Sequence, residues 1–183
     1  MCVVIILQGM HEHFPLIVFH GRDEFLERPT LPVAVRERDD FVFVCGLDAV
    51  AKGTWAGANC ATGRAVFLTN YRTTDLPSEK PLKSRGILVM NLLEMQPQVD
   101  MQEYGLCNVV VMNLFSPLEP IVHENNALGE KSALKPGVVH ALSNSVRGKE
   151  DRKLWGVCIL KKKRRWMICL GQKLNFSSAR LPS

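Results

Sequence analysis

Apolar residues in this chain come in short blocks separated by polar or glycine-bearing stretches. Val3 to Leu7 and Leu16 to Phe19 are two such blocks, with the polar segment Gln8 to Pro15 between them. Their richness in Val and Ile predicts two strands joined by a loop. Asp40 to Cys45, ended by Gly46, predicts a third strand. Gly53, Gly57 and Gly63 then punctuate a turn-rich segment around Trp55. Arg64 to Thr69 predicts another strand, followed by the polar run Asn70-Tyr71-Arg72-Thr73-Thr74. Cys107 to Leu114 reads as a buried strand, with Ile121 to His123 as a shorter partner. Gly137 to Leu142 is a last short β run before Ser143-Asn144-Ser145.

One segment breaks this alternation. After a loop from Asp75 to Lys83 containing Pro77 and Pro81, Ser84 is an N-cap candidate. Leu88, Leu92 and Met95 then recur at i, i+4 and i+7, which predicts a helix with one apolar face. Pro97 ends it. Consecutive strands without intervening helices predict antiparallel sheets, hence an α+β fold and not a doubly wound parallel one.

Composition changes this picture little, but charge changes it locally. The chain has 183 residues, 46% of them hydrophobic and 22% charged, which excludes a disordered or collagen-like chain. The net charge of +5 resides in one unbroken run, Lys161-Lys162-Lys163-Arg164-Arg165. Without that run the rest of the chain is formally neutral. The run lies between apolar flanks, Val157-Cys158-Ile159-Leu160 and Trp166-Met167-Ile168-Cys169-Leu170. It reads as an irregular tail, a nuclear-import signal or a membrane-surface contact with Trp166 at headgroup depth. A nucleic-acid partner is not expected, because nothing else in the chain carries a binding motif.

Six cysteines, at positions 2, 45, 60, 107, 158 and 169, show no C-x-x-C spacing. They read as reduced, buried thiols of an intracellular protein. His11-x-His13 beside Glu12 reads as a polar loop, and no metal site is expected. The apolar run after Met1 is too short for a bilayer, which takes about 20 residues, and it lacks the marks of a signal peptide.

Cys2 is the most pointed chemical position. If Met1 is removed, its thiol and its own α-amine share one carbon skeleton, and an α-amine has a pKa of roughly 7.7–8.0. The amine can then take the thiol proton and leave a thiolate nucleophile without a histidine. Equally, Cys2 can be a small residue packed as a hydrophobe. Arg22-Asp23-Glu24 is either a solvated turn or a group that orients substrate and amine. Pairing of the first two strands would return residue 22 to residue 2. Asn70 and Asn144, each following a strand, are turn residues or amide donors to an oxyanion.

Several blocks now occur in order: Met1-Cys2; Gly21-Arg22-Asp23-Glu24-Phe25 with Arg28-Pro29; Gly46-Leu47-Asp48; Gly53-Thr54-Trp55-Ala56-Gly57. They continue with Leu68-Thr69-Asn70-Tyr71, Ser84-Arg85-Gly86 and Leu142-Ser143-Asn144. This series resembles the NRDE family, also called the Transport and Golgi Organization family, over roughly Met1 to Trp155. The resemblance implies an N-terminal-nucleophile-hydrolase-like α-β-β-α sandwich. It implies Cys2 as nucleophile, Arg22 and Asp23 as its support, and Asn70 and Asn144 as oxyanion or positioning groups. It also implies a cytoplasmic protein associated with Golgi or mitochondria and linked to secretion, lipid homeostasis and haem trafficking. The family motif has Asn where this chain has Gly21. Beyond Trp155 the likeness fades, so the expected division is an NRDE-like domain over 1–155 and a divergent basic tail over 156–183, with a C-terminally incomplete fold.

Two function classes follow. One is a Cys2-dependent hydrolase of amide or thioester bonds, which needs no cofactor. The other is a trafficking protein that carries haem or a lipid-like molecule on the same scaffold. For haem, His13, His20, His123 and His140 are the available axial ligands.

Overall fold

In the computed structural model, the description covers residues 2–71, 82–95 and 99–144, and the backbone of 156–162 and 165–171. The expectations for Pro77, Pro81, Pro97, Ser145 and the last twelve residues lie outside these. The chain divides into two units, Met1–Val146 and Arg147–Ser183.

The first unit has ten strands: β1 (Val3–Gln8), β2 (Leu16–Gly21), β3 (Thr30–Arg38), β4 (Phe41–Asp48), β5 (Ala56–Asn59), β6 (Arg64–Asn70), β7 (Cys107–Asn113), β8 (Val122–Asn125), β9 (Glu130–Ala133) and β10 (Val139–Leu142). Among the described residues one α-helix, α1 (Arg85–Leu93), follows β6. Strands β3 to β9 form a seven-stranded sheet in sequence order, every neighbour antiparallel. Strands β10, β1 and β2 form a second antiparallel sheet of three. The α+β class and the antiparallel pairing follow the sequence pattern.

Alternation along β6 joins the layers, since successive side chains of a strand face opposite ways. Val66 and Leu68 pack with Phe43, Leu88, Val89 and Leu93, which places α1 on one face of the large sheet. Ala65 packs with Val4, Ile6, Val110, Met112 and Leu142, which places the small sheet on the other face. The order is helix, seven-stranded sheet, three-stranded sheet. Among the described residues no second helical layer completes the expected sandwich.

The helix corrects one expectation. Its buried residues are Leu88, Val89, Met90 and Leu93, whereas Leu92 is half-buried and Met95 is exposed. The buried stripe therefore shares Leu88 with the expected Leu88-Leu92-Met95 face but continues through Val89, Met90 and Leu93. The helix has already ended at Glu94, and Met95 adopts a left-handed conformation with φ of 56°. Ser84 occupies the N-cap position but makes no capping hydrogen bond with its side chain. Close packing of α1 is permitted by Gly57 in β5, where an added Cβ would stand 3.0 Å from both Cys45 Cβ and Leu93 Cδ1.

Three strands of this unit escaped the pattern. β3 is an exposed edge strand with a bulge between Leu31 and Ala34, next to Pro32. β5 is built of small residues, Ala56-Gly57-Ala58-Asn59. β9 is polar and wholly exposed. In the second unit, β11 (Gly156–Lys162) and β12 (Arg165–Gly171) form an antiparallel hairpin with Lys162 opposite Arg165. Lys161 and Lys162 of the basic run thus end β11, and Arg165 begins β12.

Of the cysteines described with side chains, Cys2, Cys45 and Cys107 are buried free thiols, as expected, but Cys60 is exposed. Burial pushes the Cys107 thiol up to about 12, which keeps it protonated and inert. Among the described residues no helix is long and apolar enough to cross a membrane.

His20 in β2 faces the large sheet, with Nε2 3.2 Å from the Leu68 carbonyl oxygen and its ring edge-on to Phe67. Burial lowers its pKa, and the bond to Leu68 opposes this only in part. Because the folded pKa lies below the unfolded one, the unfolded chain binds more protons as pH falls through about 6.5. Stability should therefore drop on acidification from about pH 7.5 to about pH 5.5. His20→Gln keeps a donor for Leu68 without a titrating ring. Urea midpoints at the two pH values should converge in this variant relative to the wild type; an unchanged gap would assign the pH dependence to other groups.

Candidate functional site

Antiparallel pairing of β1 with β2 sets Val3 opposite Gly21. That register returns residue 22 to the side of residue 2, as the sequence reading anticipated. Cys2, Arg22, Asp23 and Asn70 all line one cleft of about 1040 Å³. Asn70 reaches it from the last position of β6, opposite Cys107. Asn144 follows β10, the other neighbour of β1, and its side-chain oxygen accepts a hydrogen bond of 3.2 Å from the Cys2 backbone nitrogen. All five expected residues therefore assemble at the same end of the two sheets, four in the cleft wall and the fifth bound to Cys2.

Cys2 is 7% exposed. Burial raises its thiol pKa, while the positive charges of Arg22 and Arg85 pull it down and Glu24 adds to the rise. The resting thiol is thus protonated and needs a base at hand to become a nucleophile. Among the described residues Asn70 makes no side-chain hydrogen bond, so its amide is available to a ligand.

Arg22 is held on four sides. Its guanidinium lies 4.1 Å above the Trp55 ring and binds Asp48 at 3.1 Å, Glu24 at 3.3 Å and Thr30 Oγ1 at 2.6 Å. Trp55 in turn leans on Gly46, where an added Cβ would stand 2.9 Å from Trp55 Cζ2. Gly46 thereby makes room for the aromatic shelf under Arg22.

Asp48 is a site residue that the sequence reading did not select. Its Oδ1 accepts from the Val50 and Ala51 amides, and its Oδ2 accepts from Arg22 and Arg28. Burial pushes this carboxyl up, but Arg28 and the two amides outweigh it, so it titrates below the usual carboxylate range. An Asp at a strand end, two and three residues before the amides it caps, is a visible turn signal; its arginine partners are visible only in three dimensions.

A second missed residue supports Asn144 from below. Asn108 in β7 is buried and donates to Thr69 Oγ1 at 3.3 Å and to the Ser143 carbonyl at 3.1 Å. Its side-chain oxygen faces His123 Nε2 at 3.0 Å and accepts from Asn125 Nδ2 at 2.8 Å. Thr69 Oγ1 also donates to Ser143 O at 2.8 Å. This network ties the end of β10 to the large sheet and so sets the position of Asn144.

The opposite wall comes from the start of α1. The Thr54 amide donates to Gly86 O at 3.1 Å, and a Cβ on Gly53 would stand 2.4 Å from the Gly86 carbonyl carbon. Two backbones touch here, so Gly53 has a steric reason to be glycine. Gly21 has none, since a Cβ there would meet only Val3 Cγ1 at an ordinary 3.4 Å.

The four histidines considered for haem lie elsewhere. None is in the cleft wall. His20, His123 and His140 are engaged with Leu68 O, Asn108 and Lys135 O respectively. His13 sits in the exposed β1–β2 loop, where His11 Nδ1 accepts from the His13 and Phe14 amides. Among the described residues no group of three or more His, Cys, Asp or Glu side chains could hold a metal ion.

No curated protein and no solved structure matches the chain. The sequence profile of Transport and Golgi organisation 2 matches residues 1–164, reaching past Trp155. With most of its length covered, including every residue of the cleft, this chain belongs to the Transport and Golgi organisation 2 family.

Proposed function

We propose that the chain, once Met1 is removed, is an N-terminal-cysteine hydrolase acting on an acyl C–N or C–S bond. The observation that carries this reading is the convergence of Cys2, Arg22, Asp23 and Asn70 on one cleft, with Asn144 bound to the Cys2 nitrogen.

In this reading the Cys2 α-amine, oriented by the Asn144 oxygen, takes the thiol proton. The thiolate attacks the substrate carbonyl carbon, and the Asn70 amide donates to the developing oxyanion. The intermediate collapses to an acyl-cysteine thioester, and the leaving amine or thiol takes its proton from the Cys2 ammonium. A water, deprotonated by the same amine, then attacks the thioester and releases a carboxylate. Arg22, fixed by Trp55 and Asp48, forms a rigid wall beside the nucleophile and favours the thiolate electrostatically. The sandwich fold of N-terminal-nucleophile hydrolases belongs to the same proposal.

A cargo role for haem or a lipid-like molecule would use the same cleft, whose size suits a small-molecule ligand. With the histidines elsewhere, haem held there would take Cys2, Tyr71 or Tyr104 as its ligand. The hydrolase reading is preferred because it uses the bond between Asn144 and the Cys2 nitrogen. Its test is hydrolysis of simple amide and thioester substrates by the chain with Met1 removed and by the chain with Met1 retained. Turnover confined to the former is expected. Equal turnover in both, or none in either, would overturn the reading.

A further inference from the structure

Resting on the hydrolase reading, we infer that Arg85 selects the substrate: the Cys2 cleft takes molecules that carry an anionic group, which the Arg85 guanidinium binds.

Among the described residues the cleft wall carries four cations, Arg22, Arg28, Lys83 and Arg85. Three of them are spent on carboxylates. Arg22 binds Asp48 and Glu24, Arg28 binds Asp48 at 2.7 Å, and Lys83 binds Glu103 at 2.6 Å. Arg85 has no carboxylate partner among the described residues. Among the described residues its one hydrogen bond is a long 3.4 Å contact from Nη1 to the Leu106 carbonyl. A guanidinium has five N–H donors in a planar fork suited to an oxyanion pair, so most of this one is unused. The residue is half-buried, which removes water that would otherwise satisfy those donors.

Its position is set, not wandering. Cγ, Cδ and Nε lie 3.4 Å from where a Cβ on Gly105 would stand, so the stem lies along the backbone at Gly105. Gly86, the next residue, is in contact with the Gly53–Thr54 backbone, which fixes where the side chain begins. The charge also reaches the nucleophile, since Arg85 is among the groups that lower the Cys2 thiol pKa against its burial. The wall therefore places one uncompensated positive charge within electrostatic range of the reacting sulfur. An anion on the substrate would neutralise it, and a neutral substrate would leave it stranded.

Two alkylating probes of nearly equal size test this without knowledge of the natural substrate. Iodoacetamide is neutral and iodoacetate carries a carboxylate; both alkylate a thiolate with loss of iodide. Exposed Cys60 in the same molecule is the internal reference. The iodoacetate-to-iodoacetamide rate ratio at Cys2, divided by that at Cys60, should exceed one by roughly tenfold, the scale of a charge-assisted hydrogen bond. Arg85→Gln should bring the quotient to about one, because the ratio of the two probes cancels any change in the thiolate fraction of Cys2. Arg85→Lys should keep part of the preference. Added succinate or inorganic phosphate then distinguishes carboxylate from phosphate recognition by which protects Cys2 at the lower concentration. A wild-type quotient near one overturns the inference, whether or not Arg85→Gln folds. So does a quotient that Arg85→Gln leaves unchanged. Failure of Cys2 to react with either probe would instead overturn the hydrolase reading beneath it.

Discussion

Replacing Asn108 with alanine is expected to destabilise the protein by roughly 3 kcal/mol or more and to impair the Cys2 site at the same time. The side chain is buried and serves both halves of its amide. Alanine removes the acceptor facing His123 Nε2 and Asn125 Nδ2, and the donor to Ser143 O. These groups are buried, so the lost bonds are not replaced by water, and each costs about 1–3 kcal/mol. A loss well beyond that of an ordinary strand substitution should appear in the urea midpoint. The functional consequence runs through Ser143. With the Asn108 tether to Ser143 gone, the segment carrying Asn144 loosens, and the Cys2 nitrogen loses its fixed acceptor. Cys2 alkylation should slow under conditions where the variant is still folded. A variant of near wild-type stability, or one that is destabilised but labels normally, would break the link drawn between network and site.

Replacing Cys2 with alanine should abolish hydrolysis, by at least about a thousandfold, with little effect on folding. The small cost in stability follows from the size of the group: one buried thiol is lost, and the backbone bond to Asn144 is retained. Cys2→Ser is the sharper control. It keeps the amine, the volume and a hydroxyl, but the hydroxyl is far harder to deprotonate, so turnover should still fall steeply. Retained activity in both variants would remove Cys2 from the chemistry.

The site was more legible than its supports. Cys2, Arg22, Asp23, Asn70 and Asn144 stand at strand ends, where a period-two pattern stops and a polar residue follows, and strand ends are what antiparallel pairing brings together. Gly21 opposite Val3 is the register that does so. Asn108 was not legible because it lies inside an apolar strand, Cys-Asn-Val-Val-Val, where one polar residue gives no hint of its hydrogen-bond partners. Arg85 and Asp48 lay in recognisable blocks, but which cation is compensated and which is not depends on distances. In the fold, β5 was hidden because small residues under a helix carry no hydrophobic signal, and β3 because Pro32 and Arg36-Glu37-Arg38 suit a solvated edge. The helix face was misjudged because apolar residues fill nearly every position from Ile87 to Leu93, so spacing alone could not choose the stripe. The hairpin β11–β12 did leave a signal: two apolar runs of similar length about a cationic centre, bounded by Gly156 and Gly171.

The proposed chemistry stands on Cys2, freed of Met1 and served by its own amine, as the nucleophile of the cleft. Intact-mass analysis after brief exposure to a neutral electrophile, with the adduct mapped by peptide, tests it most directly. The expected mass lacks Met1 and carries one adduct, on buried Cys2 in preference to exposed Cys60. A mass that retains Met1, or labelling of Cys60 with Cys2 untouched, would contradict it.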